Sequence, residues 1–245
     1  MKPSQLRVYF SAMTLHDLHL PHFSQPLGGS LPGMKPGERI LLLGPSGSGK
    51  TTLFKVIAGF TDPEKGRIDP GDQQVAMLLQ NPFHQIIMQT VRDELHFPLR
   101  NAGIPPDEAK TAADRIADIL GIASLMNRDT ATLSFGEIQL VMIAATCLTP
   151  ADIVLLDEPT SHLDPPAVRA CYRCAELLSA EGKTVCISSQ TPDEYEHVDT
   201  VWILNDGVLT ACLSKEVFAA NYRSYGILLD RELIQERLKS FTGAK

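Results

Sequence analysis

Residues 44–52, "GPSGSGKTT", have the composition of a loop that binds polyphosphates. Its three glycines let the backbone turn sharply and approach an anion closely, so that successive N–H groups face it. Lys50 would contact the β- and γ-phosphates, and the Thr51 hydroxyl would bind Mg²⁺. The predicted nucleotide-binding residues are Gly44, Ser46, Gly47, Ser48, Gly49, Lys50, Thr51 and Thr52.

Two acidic residues follow a second apolar run far downstream, in "ADIVLLDEPTSHLD". The run from Ile153 to Leu156 predicts a buried strand, and ligand chemistry in parallel α/β sheets lies at the carboxyl ends of strands. Asp157 would hold Mg²⁺ through water, and Glu158 would accept a proton from an attacking water. The alternative is a capped junction between a strand and a loop, which becomes minor once the phosphate-binding loop is taken into account.

A third candidate segment, "TLSFGEIQLVMIAATCL", lies between these two. We expect a helix from about Glu137 to Leu148, preceded by Ser134 or by Phe135-Gly136. Such a helix N-terminus could receive a phosphate, but most sequences of this kind are simple helix caps. The segment is informative through its place in the order: phosphate loop, helix start, acidic strand.

The elements that must position these residues are predicted by the flanking sequence. An apolar run, Ile40 to Leu43, precedes the glycine loop and a helix-forming run follows it, which is the strand–loop–helix context of a phosphate-binding loop. The 245 residues, 44% hydrophobic and 21% charged, suffice for one α/β domain with a sizeable core.

Composition argues against several classes of function. The net charge of −7 disfavours binding along a nucleic acid backbone. No apolar run approaches the ~17 residues of a membrane span, and no signal-peptide pattern is present, so we expect a cytoplasmic chain. The five cysteines, an odd number, fit reduced thiols; the lone CxxC of Cys171 and Cys174 and the histidines of "HDLHLPH" are weak candidates for metal ligands.

In this order, the segments resemble the nucleotide-binding subunit of ATP-binding cassette (ABC) transporters. "GPSGSGKTT" is similar to the Walker A motif, "LLQNPFHQ" to the Q-loop around Gln80, and "LSFGE" to the signature LSGGQ. "IVLLDEP" is similar to Walker B with Glu158 as catalytic base, and "SHLD" to the D-loop ending at Asp164. "QNPFHQ" and "TVRDEL" resemble segments of energy-coupling factor (ECF) ATPases, which power uptake of vitamins and of cobalt or nickel ions.

The resemblance implies a RecA-like α/β core, with the antiparallel strands of ABC ATPases, built from residues 1–80 and 149–212. A helical subdomain, residues 81–148, would be inserted, and a C-terminal helical tail, residues 213–245, would follow. Apolar residues of the tail recur at helical spacing and would pack on the core. These residues are Leu228, Leu229, Leu233, Ile234 and Leu238.

It also implies how the chain would work with ATP and Mg²⁺. Two cassettes, identical or related, would close head to tail, with each ATP between the Walker A loop of one and the signature of the other. The signature residues here are Ser134, Phe135, Gly136 and Glu137. Gln80 would bind Mg²⁺ and sense the γ-phosphate, and residues 82–100 would contact transmembrane subunits at the cytoplasmic face of the membrane.

The rival prediction is a soluble ABC ATPase that acts as a nucleotide-gated clamp in cofactor assembly, repair or translation. Repair clamps carry a long coiled-coil insertion and translation factors carry two cassettes. Neither feature is present in this sequence, so a transporter subunit is favoured.

Several positions depart from the family pattern. Phe135 replaces a glycine and Glu137 a glutamine, which adds bulk and negative charge beside a phosphate site and should weaken closure. Gln190 ends the strand of "CISSQTPDE" where the family has a switch histidine, and a glutamine cannot carry charge or relay a proton. We therefore expect a slow ATPase, with Gln190 taking part in catalysis.

The residue that stacks on adenine stays open at this point. Four aromatic or imidazole side chains near the start of the chain could serve, and each is also plausible as core or surface. They are Tyr9, His16, His22 and Phe23.

Overall fold

The computed structural model describes residues 13–28, 33–69, 71–193 and 195–227. The strands are β1 (Thr14–His19), β2 (Arg39–Leu43), β3 (Lys65–Asp69), β4 (Val75–Leu78), β5 (Ile153–Leu156), β6 (Thr184–Ser189), β7 (Thr200–Asn205) and β8 (Val208–Ser214). The α-helices are α1 (Lys50–Ile57), α2 (Val91–Asn101), α3 (Pro106–Leu120), α4 (Phe135–Leu148), α5 (Pro165–Ala180) and α6 (Lys215–Asn221).

A six-stranded sheet in the order β4-β5-β6-β2-β7-β8 forms the centre of the fold. Its first five strands are parallel, and β8 pairs antiparallel with β7. Strand β6 lies between β2 and β5, so the loop after β2 and the acidic residues after β5 leave the sheet at the same edge. Strands β1 and β3 form a separate antiparallel pair.

Hydrophobic packing covers both faces of this sheet. In β2, Leu41 and Leu43 belong to a core cluster shared with α2 to α5, whereas Ile40 and Leu42 belong to a second cluster shared with α1. Successive side chains of a strand point to opposite faces, so this alternation requires layers on both sides. All residues of β5 and β6 are buried, as expected for interior parallel strands.

Helices α2, α3 and α4 lie between β4 and β5, within the segment 81–148 that the sequence assigned to a helical subdomain. Thr90 caps α2 by accepting a hydrogen bond from the Asp93 N–H. The Glu94 carboxylate, 2% exposed, accepts the N–H groups of Ile87 (3.0 Å) and Met88 (2.7 Å). The "TVRDEL" segment therefore has a structural role: it starts α2 and holds the chain that leads into it.

Some boundaries differ from those expected. Helix α4 begins at Phe135 rather than about Glu137, because Ser134 is its N-cap. Strand β8 continues to Ser214, two residues past the predicted end of the core at 212, because it pairs with β7 along its whole length. The tail leucines and Ile234 lie outside the described residues. No helix in the described ranges has the length and apolar character needed to cross a membrane.

Arg39 and Asp199 join the start of β2 to the residue before β7. The Arg39 backbone N–H (2.9 Å) and guanidinium (2.8 and 3.2 Å) donate to the Asp199 carboxylate. Burial raises the pKa of Asp199, but the hydrogen bonds and charge of Arg39 outweigh it, so the net pKa lies below its ordinary value. The pair therefore stabilises the fold only while Asp199 is ionised.

We expect Asp199→Asn to lower the free energy of unfolding by about 1 kcal/mol at neutral pH, a modest value because 42% of the Asp199 side chain remains exposed. Because the folded-state pKa is depressed, the parent loses this contribution as the pH falls through about 4 and below. Urea denaturation across that range measures the difference. Asp114→Asn, which breaks the exposed Lys110–Asp114 pair, is the matched control and should cost no more than about 0.5 kcal/mol. An Asp199→Asn deficit that is unchanged in acid would contradict this account.

Candidate functional site

The glycine loop connects β2 to α1 at the edge of the sheet. Gly47 and Gly49 have φ values of 79° and 104°, in the left-handed region that side chains disfavour. A Cβ on Gly44 would lie 2.3 Å from the Leu204 carbonyl oxygen and 2.5 Å from Ser48 Oγ, so only glycine fits there. Ser48 Oγ is buried without a hydrogen-bond partner among the described residues, which leaves a polar atom available inside the loop.

Lys50 is the first residue of α1 and is 4% exposed. Its Nζ donates to the carbonyl oxygens of Gly44 (2.7 Å) and Pro45 (3.1 Å) and lies 3.4 Å from Glu158 Oε1. The ammonium group is thus held inside the loop, at the start of a helix whose N-terminus also favours an anion. This arrangement suits a polyphosphate bound over the loop.

Asp157 is fully buried at the end of β5. Its two carboxylate oxygens accept from the hydroxyls of Thr51 and Ser188, each at 2.7 Å. Burial raises the pKa of Asp157, and the two hydroxyl donors oppose that rise in part. Hydroxyl and carboxylate oxygens are the hard ligands that Mg²⁺ prefers, so Thr51 and Asp157 fit a magnesium site.

Glu158 follows in a strained conformation, with a φ of 49° that is rare for residues other than glycine and typically costs ~1–3 kcal/mol. Its N–H donates to Ser188 Oγ at 2.9 Å. The Gln190 amide donates to both carboxylate oxygens of Glu158, at 3.0 and 2.9 Å. Gln190, just beyond β6, is therefore a direct neighbour of the proposed catalytic base.

Ser188 was missed by the sequence reasoning, although it lies in the "CISSQ" stretch beside Gln190. Its hydroxyl accepts from the Glu158 N–H and donates to Asp157, so it orders both acidic residues. Strand β6 lies next to β5, and this adjacency brings Ser188 to the acids. A serine at the end of a buried strand is the only signal the sequence offered.

Gln80 is exposed, two residues beyond β4, and among the described residues no hydrogen bond connects it to Thr51 or Asp157. The loop around it is fixed instead by Gln85, which sequence reasoning did not select. Gln85 Oε1 accepts from the Leu79 N–H (2.8 Å), and its Nε2 donates to the Met77 carbonyl (2.9 Å). The second glutamine of "QNPFHQ" thus anchors the loop to the end of β4.

The signature residues form a closed local network at the start of α4. Ser134 and Glu137 make a reciprocal capping box, and Glu137 Oε2 also accepts from the Ser134 hydroxyl at 2.8 Å. Arg128 donates to Glu137 Oε1 at 2.9 Å. The Ser134 hydrogen bonds, and then the Arg128 charge, lower the pKa of Glu137. The expected negative charge is present, and it is paired with Arg128.

Phe135 does not stand alone beside this cap. Its ring contacts Phe83 (centroids 5.6 Å apart) and meets His162 edge to face (4.7 Å). Asp164, the last residue of the D-loop, caps α5 by accepting from the Ala167 N–H at 2.9 Å. The structure therefore joins the signature, the segment after Gln80 and the D-loop into one surface.

The candidates for adenine stacking occupy different environments. The Phe23 ring packs against Gly49 and Gly207. A Cβ atom added to Gly49 would lie 3.1 Å from the ring, and one added to Gly207 would lie 2.3 Å from the ring. His16 and His22 are exposed, and Tyr9 lies outside the described residues. Phe23 is thus the candidate in direct contact with the phosphate loop.

Gly44→Ala should destabilise the protein by about 2 kcal/mol or more and remove most ATP binding, because its Cβ has no space beside Leu204 and Ser48. Gly47→Ala is the matched control, since a Cβ there meets nothing within 4 Å. It should cost only the ~1 kcal/mol of a strained φ. Urea denaturation and calorimetric titration with ATP measure both quantities. Equal losses of unfolding free energy in the two variants would argue against the steric explanation.

Comparison with known proteins agrees with this geometry. Residues 32–161 match the sequence profile of the family described as ABC transporter. The energy-coupling factor transporter ATP-binding protein EcfA of Enterococcus faecium is 33% identical over 83% of this chain and 78% of that protein, and EcfA1 of Thermotoga maritima is 31% identical over 74% and 73%. The structure of cbiO1 from Clostridium perfringens, described as part of the ABC transporter complex cbiONQ, superimposes with a TM-score of 0.71 at 25% identity, over 93% of this chain and 94% of that chain. The α/β P-loop fold and the resemblance drawn from the motifs are confirmed, and the chain belongs to the ABC transporter family.

Proposed function

We propose that this chain binds and hydrolyses ATP with Mg²⁺ and energises a membrane importer of the ECF type. One observation carries the proposal: Lys50, Thr51, Asp157 and Glu158 converge at one edge of the sheet through contacts of 2.7 to 3.4 Å. Its relatives are named as energy-coupling factor transporter proteins, which favours a transporter subunit over a soluble clamp.

Nucleotide binding would follow from the loop and the start of α1. The Lys50 ammonium, now bound to the carbonyl oxygens of Gly44 and Pro45, would turn to the β- and γ-phosphates, while backbone N–H groups of residues 46–52 surround them. Thr51 and Asp157 would hold Mg²⁺, and Gln80, exposed two residues beyond β4, would contribute a further oxygen ligand. Bound there, the ion would neutralise charge on the phosphate oxygens.

Glu158 would act as general base toward the attacking water. Its carboxylate lies between the Lys50 ammonium and the Gln190 amide, so its orientation is fixed before substrate arrives. The amide can donate a hydrogen bond but cannot become cationic as charge builds on the transferred phosphoryl group. Slow hydrolysis is the expected consequence.

The membrane partner would contact the helical segment. A cavity of about 320 Å³ opens beside α2 and α4, lined by apolar groups that include Ile87, Phe97 and Met142. Ile87 is 63% exposed, and Phe83 in the same segment is 47% exposed, so residues 82–100 present apolar surface that a partner could cover. Residues 82–100 would contact the transmembrane subunits, and the chain would then lie peripherally at the cytoplasmic face of the membrane.

The signature would face the nucleotide of a second cassette, identical or related. In this chain the Ser134 hydroxyl already donates to Glu137, and the Phe135 ring stands 36% exposed beside it. Binding a phosphate there would require Ser134 to exchange that hydrogen bond for one to the nucleotide. Weak closure of the pair of cassettes follows from this competition.

Glu158→Gln should retain ATP binding while hydrolysis falls by ~10²-fold or more, because the general base is removed without loss of the phosphate contacts. Lys50→Ala should instead lose most of the ATP affinity, since the bound polyphosphate loses its main countercharge. Calorimetry measures affinity and phosphate release measures hydrolysis. A parental rate in Glu158→Gln, or unchanged affinity in Lys50→Ala, would refute the assigned role.

Gln190→His should raise the hydrolysis rate by ~10-fold with nearly constant ATP affinity, because an imidazole can become cationic in the transition state. Gln190→Asn, which keeps a neutral amide on a shorter side chain, is the matched control and should not accelerate the reaction. Rates are compared in free chains and in cross-linked closed dimers, since weak closure could mask the gain. A flat or lower rate for Gln190→His in both forms would show that this side chain does not face the γ-phosphate.

A further inference from the structure

His162 lies in the D-loop segment "SHLD", four residues after Glu158, and its imidazole contacts both Ser161 and Phe135. We propose that His162 is a positioning residue for Glu158, acting through Ser161, and that Phe135 orients its ring. The inference rests on the proposed function, because it assumes that Glu158 is the general base.

A continuous set of contacts connects the three residues. His162 Nδ1 lies 2.9 Å from Ser161 Oγ, and Ser161 Oγ lies 3.1 Å from the backbone carbonyl oxygen of Glu158. The Ser161 N–H also points to that carbonyl, at a longer 3.4 Å. Two groups of Ser161 therefore contact the Glu158 carbonyl oxygen, and the hydroxyl makes the shorter contact.

One placement of protons satisfies both side-chain contacts at once. A carbonyl oxygen only accepts, so in this placement the single Ser161 hydroxyl proton points to Glu158. Ser161 Oγ then has only lone pairs to offer His162, and Nδ1 carries a proton; with Nδ1 unprotonated, the hydroxyl would donate to it and leave the Glu158 carbonyl with the longer Ser161 N–H contact alone. We assign the Nδ1–H imidazole, which fixes the Ser161 hydroxyl toward Glu158.

Aromatic packing holds the imidazole in this position. Phe135 meets the His162 ring edge to face at an interplanar angle of 60°. Phe83 in turn packs against the Phe135 ring. Edge-to-face contacts at such distances restrict ring rotation. The phenylalanine that replaces the usual signature glycine therefore supports the histidine of the D-loop.

Positioning matters here because the Glu158 backbone is strained. Its φ of 49° persists only if surrounding contacts hold both sides of the residue. Ser188 holds the N–H at 2.9 Å, and Ser161 holds the carbonyl. A shift of this backbone would move the carboxylate relative to Lys50 and Gln190, and small displacements of a reacting group reduce rates strongly.

The test compares three substitutions at His162 in the 245-residue chain. His162→Asn can place an amide donor near the position of Nδ1, whereas His162→Gln carries its amide farther out, toward the position of Nε2, and His162→Ala has no donor. We expect kcat to fall by ~10-fold in the alanine and glutamine variants with KM nearly unchanged, and the asparagine variant to stay within about threefold of the parent. His162 is exposed, so all three should fold; thermal unfolding checks this.

Ser161→Ala supplies an independent measurement. If His162 acts through Ser161, the double variant Ser161→Ala/His162→Ala should be no slower than the slower single variant. Long-range ¹H–¹⁵N NMR of the parent should show a protonated Nδ1 at His162, a readout that does not depend on activity. Equal rates for the asparagine, glutamine and alanine variants, additive losses in the double variant, or an unprotonated Nδ1 would each overturn the inference.

Glu158→Gln separates this inference from the function on which it rests. Slow hydrolysis in Glu158→Gln together with parental rates in all His162 variants would remove only the positioning role. A parental rate in Glu158→Gln would remove the general base, and the positioning of that base with it.

Discussion

The buried Asp157 carboxylate is the constraint on which the site depends. It is fully buried. Each of its oxygens accepts a hydrogen bond of 2.7 Å from a hydroxyl group, one from Thr51 in α1 and one from Ser188 in β6. A buried carboxylate without such donors would be costly, so the two hydroxyls and the strand pairing that delivers them are required together. Because β6 lies between β2 and β5, one interaction ties the phosphate loop to the acidic residues.

The departures from the family pattern have local partners. Glu137 adds a negative charge at the start of α4, but it caps the helix with Ser134 and pairs with Arg128. Phe135 adds bulk, and that bulk contacts Phe83 and His162. Both side chains thus have partners within the described part of the chain.

Glu158 is held by contacts from the start of α1, the end of β6 and the turn that follows Glu158 itself. Lys50 and Gln190 hold its carboxylate, Ser188 its N–H, and Ser161 its carbonyl. Such a set is needed because the residue has a positive φ, which an isolated turn would not retain. The geometry of the proposed base therefore depends on two segments that are distant in sequence, the start of α1 and the end of β6, and on Ser161, three residues downstream.

The sequence by itself determined the phosphate loop, the acidic strand and their order, because these signals are local: glycine spacing, an apolar run and the residue types at its end. Strand β5 was predicted at its observed bounds, Ile153–Leu156. The contacts of Ser188 and Gln85, and those on which the proposed role of His162 rests, were decided only by the tertiary structure. Each depends on which strand or loop lies beside another, and one sequence carries no signal for that adjacency. The pairing of Glu137 also depends on the fold. The negative charge of Glu137 was evident from the sequence, but only the structure shows that Arg128, nine residues upstream, pairs with it.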